Sequence, residues 1–312
     1  MNKIFVGIAS YSDNMLSHTI MDAMLKADNP SGLTFGIVEQ SPRDARLRAR
    51  GENIRYVGLD PADARGVCWA RAITMTLYNG EDYYLQIDSH MLFDKGWDTD
   101  LIRRLNACPS KKPIISCYPN AFYMVNNTPV RKPVTKGALC NVISKDFAPD
   151  HDVLNYHAAA VNAECVPGFS VAGGFMFTLG SFAHEVPYDP LLYFHGEEQA
   201  LALRAYTRGW DMFHTPVPVY HLYDTDPNNH YRNKHWSKED DAARTLRWWE
   251  FDKIAKERLV SLTKGNDHGV YGLGTVRSLD DFIEWSGIDF KNRIIHDKAK
   301  KPKDPIPKEP TT

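Results

Sequence analysis

Short apolar runs alternate with stretches of helical spacing along the first third of the chain, the pattern left by strands joined through helices. Residues 3–9 form an apolar run that stops at Ser10-Tyr11-Ser12-Asp13, and apolar positions at helical spacing follow over 15–26. Runs at 33–39, ending in Glu39-Gln40-Ser41-Pro42, and at 54–59, ending in Asp60-Pro61, predict two more strands. A helix over 67–78 then leads into Tyr83-Tyr84-Leu85-Gln86-Ile87-Asp88, an apolar strand that stops at a carboxylate. Strand and helix in alternation predict an α/β fold with a mostly parallel central sheet. Ligands of such sheets bind outside the carboxyl ends of the strands, so Ser10, Glu39, Asp60 and Asp88 are expected to face one crevice.

The pattern is less regular downstream. Residues 97–105 read as a helix and 113–118 as a strand, whereas 120–162 is rich in Pro, Asn and Lys without clear periodicity. That stretch predicts loops and irregular strands of an insertion on the acceptor side. Residues 170–179 regain a strand pattern and contain Gly173-Gly174, where backbone can approach a ligand closely. A helix over 197–208 closes at Gly209, and a strand-like 212–220 delivers His221 into a loop. Residues 242–262 are helical and charged, with Trp248 and Trp249, and read as a packing appendage. The Lys/Pro run over 298–312 lacks an apolar face and reads as a disordered tail. The expected organisation is a main domain over 1–235 containing the 120–162 insertion, a helical extension over 236–297, and the tail over 298–312.

Composition narrows the classes. With 43% hydrophobic and 24% charged residues the chain can bury a sizeable core, which excludes wholesale disorder. A net charge of -2 excludes a domain-wide basic attraction to nucleic acid. A local basic cluster remains at Arg43, Arg46, Arg48 and Arg50; it reads either as a solvated face or as a contact for DNA phosphates. Cys68, Cys108, Cys117, Cys140 and Cys165 have no CxxC spacing, which points to reduced thiols rather than a disulfide framework or a structural zinc site. The first residues lack a long apolar h-region and no stretch approaches about 18 apolar residues, so a soluble, cytoplasmic protein without membrane contact is expected.

Three segments can carry chemistry. In Asp88-Ser89-His90, at the end of an apolar strand, extended backbone projects residues two apart to the same side, so a carboxylate and an imidazole can grip one divalent cation. An acid and a histidine that merely cap a strand end are the structural alternative. In Phe194-His195-Gly196-Glu197-Glu198, tandem carboxylates open a helix; they serve either its dipole or a reacting centre, and only one of the two is expected to point inward. His221, about 130 residues beyond Asp88, is a candidate third ligand, with His195, His214, His230 and His235 as competitors and no HExxH motif to suggest a zinc hydrolase. An imidazole among the ligands favours Mn²⁺ over Mg²⁺.

Taken in order, Ile8-Ala9-Ser10-Tyr11, Glu39-Gln40, the segment from Arg65 to Arg71, Gln86-Ile87-Asp88-Ser89-His90, Gly173-Gly174, Phe194-His195-Gly196-Glu197-Glu198 and His221 form a series over residues 3–225. This series resembles the cytoplasmic hydroxyproline-polypeptide N-acetylglucosaminyltransferase family. Its Asp-Ser-His triplet with a later His is also similar to the metal site of the polypeptide N-acetylgalactosaminyltransferases, a variant of the DXD motif. The resemblance implies a Rossmann-like GT-A fold, a UDP-sugar donor, and Mn²⁺ or Mg²⁺ at Asp88, His90 and His221. It also implies transfer to a hydroxyl with retention. Ser10, Tyr11 and Glu39 would lie at the nucleoside end and Arg65 and Arg71 near the nucleotide, although Arg71 can equally be a charge on a helix surface. Gly173 and Gly174 would line the sugar pocket, with Glu197 or Glu198 near the reacting centre. The sugar is a hexose, an N-acetylhexosamine or a pentose, and the acceptor a protein hydroxyl, a saccharide, or a hydroxymethylated base in DNA. Two rival classes are a non-catalytic sugar-nucleotide or carbohydrate-binding module, with Trp69, Trp97, Trp210 and Trp236 as stacking platforms, and a nucleotide-sugar hydrolase.

Overall fold

The computed structural model describes residues 2–48, 51–223 and 233–307. The first half follows the apolar rhythm. Strands β1 (Ile4–Tyr11), β2 (Leu33–Gln40), β3 (Ile54–Leu59) and β4 (Tyr83–Asp88) alternate with helices α1 (Leu16–Lys26) and α2 (Val67–Thr76). Short β5 (Met91–Phe93), α3 (Trp97–Asn106) and β6 (Pro113–Ser116) follow. The stretch over 120–162 is more regular than its sequence suggests: β7 (Asn120–Val125) and β8 (Thr128–Arg131) form one antiparallel pair, and β9 (Ala138–Ile143) and β10 (Tyr156–Val161) another. Exposed and half-buried positions in β7, β8 and β10 blur the apolar signal, as expected of antiparallel strands with one wet face. The remaining strands are β11 (Val166–Gly168), β12 (Phe175–Leu179), β13 (Asp211–His214) and β14 (Val219–Leu222), with α4 (Phe182–Glu185) and α5 (Glu197–Thr207) between them.

Eight strands form the central sheet in the order β11-β13-β6-β12-β4-β1-β2-β3. Neighbours β4-β1-β2-β3 are parallel, whereas β12 runs antiparallel to both β4 and β6. Side chains alternate across this sheet. Ile4, Val6 and Ile8 pack with Leu16, Ile20, Trp97 and Leu101 of α1 and α3, while Phe5, Tyr84 and Met176 pack with α2 and α5 on the other face. This is the GT-A arrangement, a nucleotide-binding-type sheet between two helical layers.

A second sheet, β5-β14-β7-β8, lies beyond the end of β4. The apolar run at 212–220 is therefore not one strand. Pro216 and Pro218 cannot donate ladder hydrogen bonds, so the chain leaves the large sheet after His214 and re-enters pairing in the small one. His221 consequently sits inside β14, opposite Met91, rather than in a loop.

Helix α6 (Lys238–Ala242) and α7 (Trp248–Thr263) precede α8 (Leu279–Ser286). Ala255, Leu259 and Leu262 of α7 share an apolar cluster with Leu192, Tyr193 and Ala200, so this segment is built into the core. The tail expected from residue 298 onward also packs, as far as residue 307: Ala299 is buried, Lys303 Nζ lies 3.9 Å from the Trp285 ring centroid, and the Ile306 amide donates to Cys165 O at 3.0 Å. Lysine stems covering apolar surface make such a segment look polar in sequence. Residues 308–312 lie outside the described residues. All five cysteines are free thiols, and among the described residues no helix is long and apolar enough to cross a membrane.

Candidate functional site

The register of β1 against β4 sets Ala9 beside Asp88 at the carboxyl ends of the two strands. From there the chain turns through Ser89 to His90, and β14 brings in His221 from the neighbouring sheet. One ligand atom from each of Asp88, His90 and His221 lies within 4.8 Å of the others. His90 Nε2 is 3.0 Å from His221 Nε2; Asp88 Oδ2 is 3.1 Å from His221 Nε2 and 3.7 Å from His90 Nε2. Adjacent ligands of an octahedral ion with bonds of about 2.1 Å stand about 3 Å apart, so the three atoms fit one face of such an ion.

The surroundings pre-orient these ligands. Asp13, in the loop after β1, accepts from His90 Nδ1 at 2.6 Å and from Ser89 Oγ at 2.7 Å, and its other oxygen takes the Met15 amide at 2.8 Å. A carboxylate on Nδ1 favours the tautomer whose Nε2 lone pair faces the cluster, the usual support for a metal-binding histidine. Burial pushes the Asp13 carboxyl up, but the hydrogen bonds from His90 and Ser89 outweigh it and hold it below its ordinary value. Burial likewise opposes ionisation of Asp88, and the His221 hydrogen bond with the Arg71 charge overrides it, leaving this carboxyl well below the usual carboxylate range. Asp13 has no place among the residues singled out from the sequence. The signal available was an acid in the loop after the first strand, at the crevice end of the sheet.

Arg71 is not a surface charge. It is 4% exposed and lies between two carboxylates, with Nη2 2.8 Å from Asp88 Oδ1 and Nη1 bonded to Glu197 Oε1. Glu197 also accepts from Tyr188 Oη at 2.8 Å and Cys68 Sγ at 3.4 Å, so its carboxylate is fully engaged inside the protein. Glu198 points the other way, into a cavity, where its Oε1 accepts the Gly173 amide at 2.7 Å. Burial and then the neighbouring Glu197 charge raise its carboxyl to about 7 against the opposing Gly173 hydrogen bond.

Gly173 and Gly174 are required by close approach. A Cβ on Gly174 would stand 2.9 Å from Asp88 Oδ2, and one on Gly173 2.9 Å from Glu197 Oε1. The Gly174 carbonyl also accepts the Asp88 amide at 3.3 Å, so the glycine pair closes directly onto the cluster.

Two cavities meet at the cluster, sharing Val67, Asp88 and Phe194. The one beside β1, about 270 Å³, is lined by Tyr11, Gln40, His90, Tyr193, His235 and Trp236 among others. The other, about 390 Å³, is lined by Tyr118, Tyr156, Gly173, Gly174, Glu198 and Tyr223 among others. A wider cavity of about 1360 Å³ opens beyond Asp13 between α1 and residues 41–54, and Glu39 lines it. Glu39 accepts from Tyr56 Oη at 2.8 Å and the Leu47 amide at 2.9 Å. Ser10 is buried at the end of β1.

Other expected positions fall elsewhere. Asp60 caps the turn at Pro61–Asp63, accepting from the Ala62 amide at 3.0 Å, and does not face the crevice. Arg65 is exposed, with its guanidinium 5.7 Å from the Trp69 ring centroid. His195 is exposed, and His214 is buried against Ser116 O at 2.5 Å, its basicity pushed down to about 4 by burial. His235 lines the smaller cavity but bonds Tyr193 Oη at 2.8 Å. His230 and Arg50 lie outside the described residues. Trp97 and Trp210 are fully buried core side chains and cannot serve as stacking platforms.

A family model described as glycosyltransferase (GlcNAc) matches residues 41–292. The chain belongs to this family and is a glycosyltransferase. The match runs through the C-terminal helices, in keeping with their place in the common core. Among curated proteins none matches the sequence. Among solved structures, the crystal structure of GalNAc-T7 with UDP, GalNAc and Mn²⁺ is similar at 13% identity and a TM-score of 0.54, over 94% of this chain and 58% of that one. The chain thus spans less than two thirds of that relative's length, and the likeness is one of fold. S. aureus TarS 1-349 in complex with UDP-GlcNAc aligns at 13% identity with a TM-score of 0.44, over 85% of this chain and 73% of that one.

Proposed function

We propose that this glycosyltransferase is divalent-metal-dependent and moves a sugar from a UDP-sugar to a hydroxyl acceptor with retention, in the manner of the hydroxyproline-polypeptide enzymes it resembles. The observation that carries the reading is the convergence of Asp88 Oδ2 and the Nε2 atoms of His90 and His221 at the crevice end of β4, in a chain of this family. Those three residues would hold the cation, and the donor set of two imidazoles and one carboxylate favours Mn²⁺ over Mg²⁺. When bound, the cation supplies Lewis-acid neutralisation of the charge left on the departing nucleoside diphosphate.

The protein's own groups do the rest. Asp13 holds His90 in the tautomer that presents Nε2, and Arg71 fixes Asp88 by its second oxygen. The cavity beside β1 receives the nucleotide, with Tyr11 in its wall and Ser10 buried next to Tyr11 in the strand, and Glu39, in the adjoining wider cavity, stands on the nucleoside side. Gly173 and Gly174 let backbone line the sugar. Arg65, exposed just before α2 with its guanidinium 5.7 Å from the Trp69 ring centroid, supports the nucleotide end from the start of that helix. Glu198, at the cavity surface with a carboxyl near 7, orients the acceptor hydroxyl and accepts its proton at physiological pH. Glu197 is a positioning residue that acts through Arg71.

Intact-mass analysis of candidate acceptors incubated with UDP-sugars and Mn²⁺ tests this. Peptides with hydroxyproline, Ser or Thr and DNA with hydroxymethylated bases are compared side by side. A single mass shift identifies sugar and acceptor together. Release of UDP that ignores acceptor, or that survives chelation, would refute the proposal.

A further inference from the structure

The smaller cavity has one wall that no strand of the large sheet provides. Lys234, His235 and Trp236, at the boundary expected from the sequence between the main domain and the helical extension, line it together with Tyr11 and Gln40. The segment is held there by a side chain outside the cavity. Arg244, just past α6, is 5% exposed. Its Nη2 donates to Tyr11 Oη, its Nη1 to the His235 carbonyl, and its Nε to the Pro61 carbonyl at 3.4 Å. Asp241 Oδ1 lies 3.5 Å from Nη1 and itself accepts the Trp248 amide at 2.7 Å, which ties the arginine to the start of α7. The guanidinium also stands 5.5 Å from the Tyr11 ring centroid. His235 packs between the rings of Tyr11 and Tyr193, at 5.2 and 5.4 Å.

A buried arginine is a poor device for stability alone, because an apolar side chain of similar volume fills the same space without the desolvation cost. What the planar fork adds is geometry: it fixes several acceptors at once, which a flexible ammonium does not. Here the acceptors belong to the end of β1, the turn after β3, and the segment 233–247. Two of them, the Tyr11 hydroxyl and the His235 backbone, belong to residues that pack against each other and line one cavity.

We infer that Arg244 is a positioning residue of the donor site, pinning the segment 233–247 onto the end of β1 so that Tyr11 and His235 together form one wall against the nucleotide. The inference rests on the reading of this cavity as the donor pocket. It predicts that donor affinity, rather than the chemical step, depends on a residue that touches no donor atom.

The test uses the full chain with Mn²⁺ present and UDP as the probe, measured by calorimetry, with KM and kcat for a UDP-sugar alongside. Arg244→Met is expected to raise the Kd for UDP and the KM about tenfold or more, as one well-formed contact is worth, with kcat changed much less. Arg244→Lys should recover part of the affinity through a single hydrogen bond. Arg204→Met is the control: Arg204 is equally buried, lines neither cavity, and bonds Val270 O at 3.2 Å, so its loss should lower the melting temperature without moving the Kd. Should Arg244→Met not fold, Tyr11→Phe removes the hydroxyl that Arg244 and Asp240 both hold and should shift the Kd in the same direction by a smaller factor. A Kd for folded Arg244→Met or Tyr11→Phe no different from that of Arg204→Met overturns the inference alone. Wild-type protein that binds no UDP overturns the donor reading together with it.

Discussion

Replacing Glu198 by Gln should make the protein more stable and less active, and the stability gain should depend on pH. In the folded protein the carboxyl ionises near 7 rather than at its ordinary 4.5, because burial and the Glu197 charge oppose the anion. Ionisation therefore costs the native state free energy that the unfolded chain does not spend. The sign follows from proton counts: between pH 4.5 and 7 the native state binds more protons than the unfolded one, so stability falls as pH rises across that window and is level on either side. The span of 7 minus 4.5, at about 1.4 kcal/mol per pH unit, sets a ceiling of about 3 kcal/mol. Gln removes the ionisation, and its side-chain carbonyl can still accept the Gly173 amide. Urea unfolding of metal-free wild type and Glu198→Gln at pH 5, 6, 7 and 8 is the assay. The variant should gain little at pH 5 and up to about 3 kcal/mol at pH 8, while kcat falls with little change in donor affinity. Glu197→Gln should behave in the opposite way, losing about 3 kcal/mol, since it weakens the partner of a buried guanidinium. A gain for Glu198→Gln that is the same at every pH, or a loss like that of Glu197→Gln, would refute the assignment of their separate roles.

The remaining expectations concern the cluster and its supports. Asp13→Asn should weaken Mn²⁺ binding by about 10- to 100-fold, the usual effect of losing the carboxylate behind a metal-binding histidine, as titration calorimetry can read; unchanged affinity would remove Asp13 from the site. His221→Ala should abolish the stimulation of UDP release by Mn²⁺ while its circular dichroism stays native, and chelation of the wild type should produce the same loss. Gly174→Ala places a methyl 2.9 Å from Asp88 Oδ2 and should lower metal affinity by displacing that carboxylate; wild-type affinity would show that the backbone has room to yield.

Much of this site was legible because its ligands follow local rules. The strand ending at Asp88 is a continuous apolar run, and the two-residue spacing to His90 is enough to put both on one side. The strands at 54–59 and 83–88 end where their apolar runs end, and each pairs in parallel with a neighbour from the first half of the sheet. The helix opened by Glu197 was equally plain, and so was the expectation that only one of its two acids faces inward. What local pattern does not carry is the partner of a charge. Asp13 looked like a loop acid because His90 is 77 positions away, and Arg71 looked ambiguous because Glu197 is 126 positions away. Arg244 sits 233 positions from Tyr11, in a segment whose charged, helical pattern read as a packing appendage.

These misses share one physical cause, and it bears on how the site is built. Asp13, Asp88, Glu197 and Glu198 all lie around the end of β4, each linked to the next through His90, Arg71 or Gly173. The protein separates them by partner: Asp13 and Asp88 are held ionised by imidazoles and, for Asp88, by Arg71. Glu197 takes the other arm of Arg71, and Glu198 alone is left with only a backbone amide. His221 and Arg71 together thus hold Asp88 well below the usual carboxylate range, while Glu198, with burial and the Glu197 charge against it, stays near 7. A charge with that role must be enclosed, and enclosure is achieved by elements far apart in the chain, so periodicity cannot announce it.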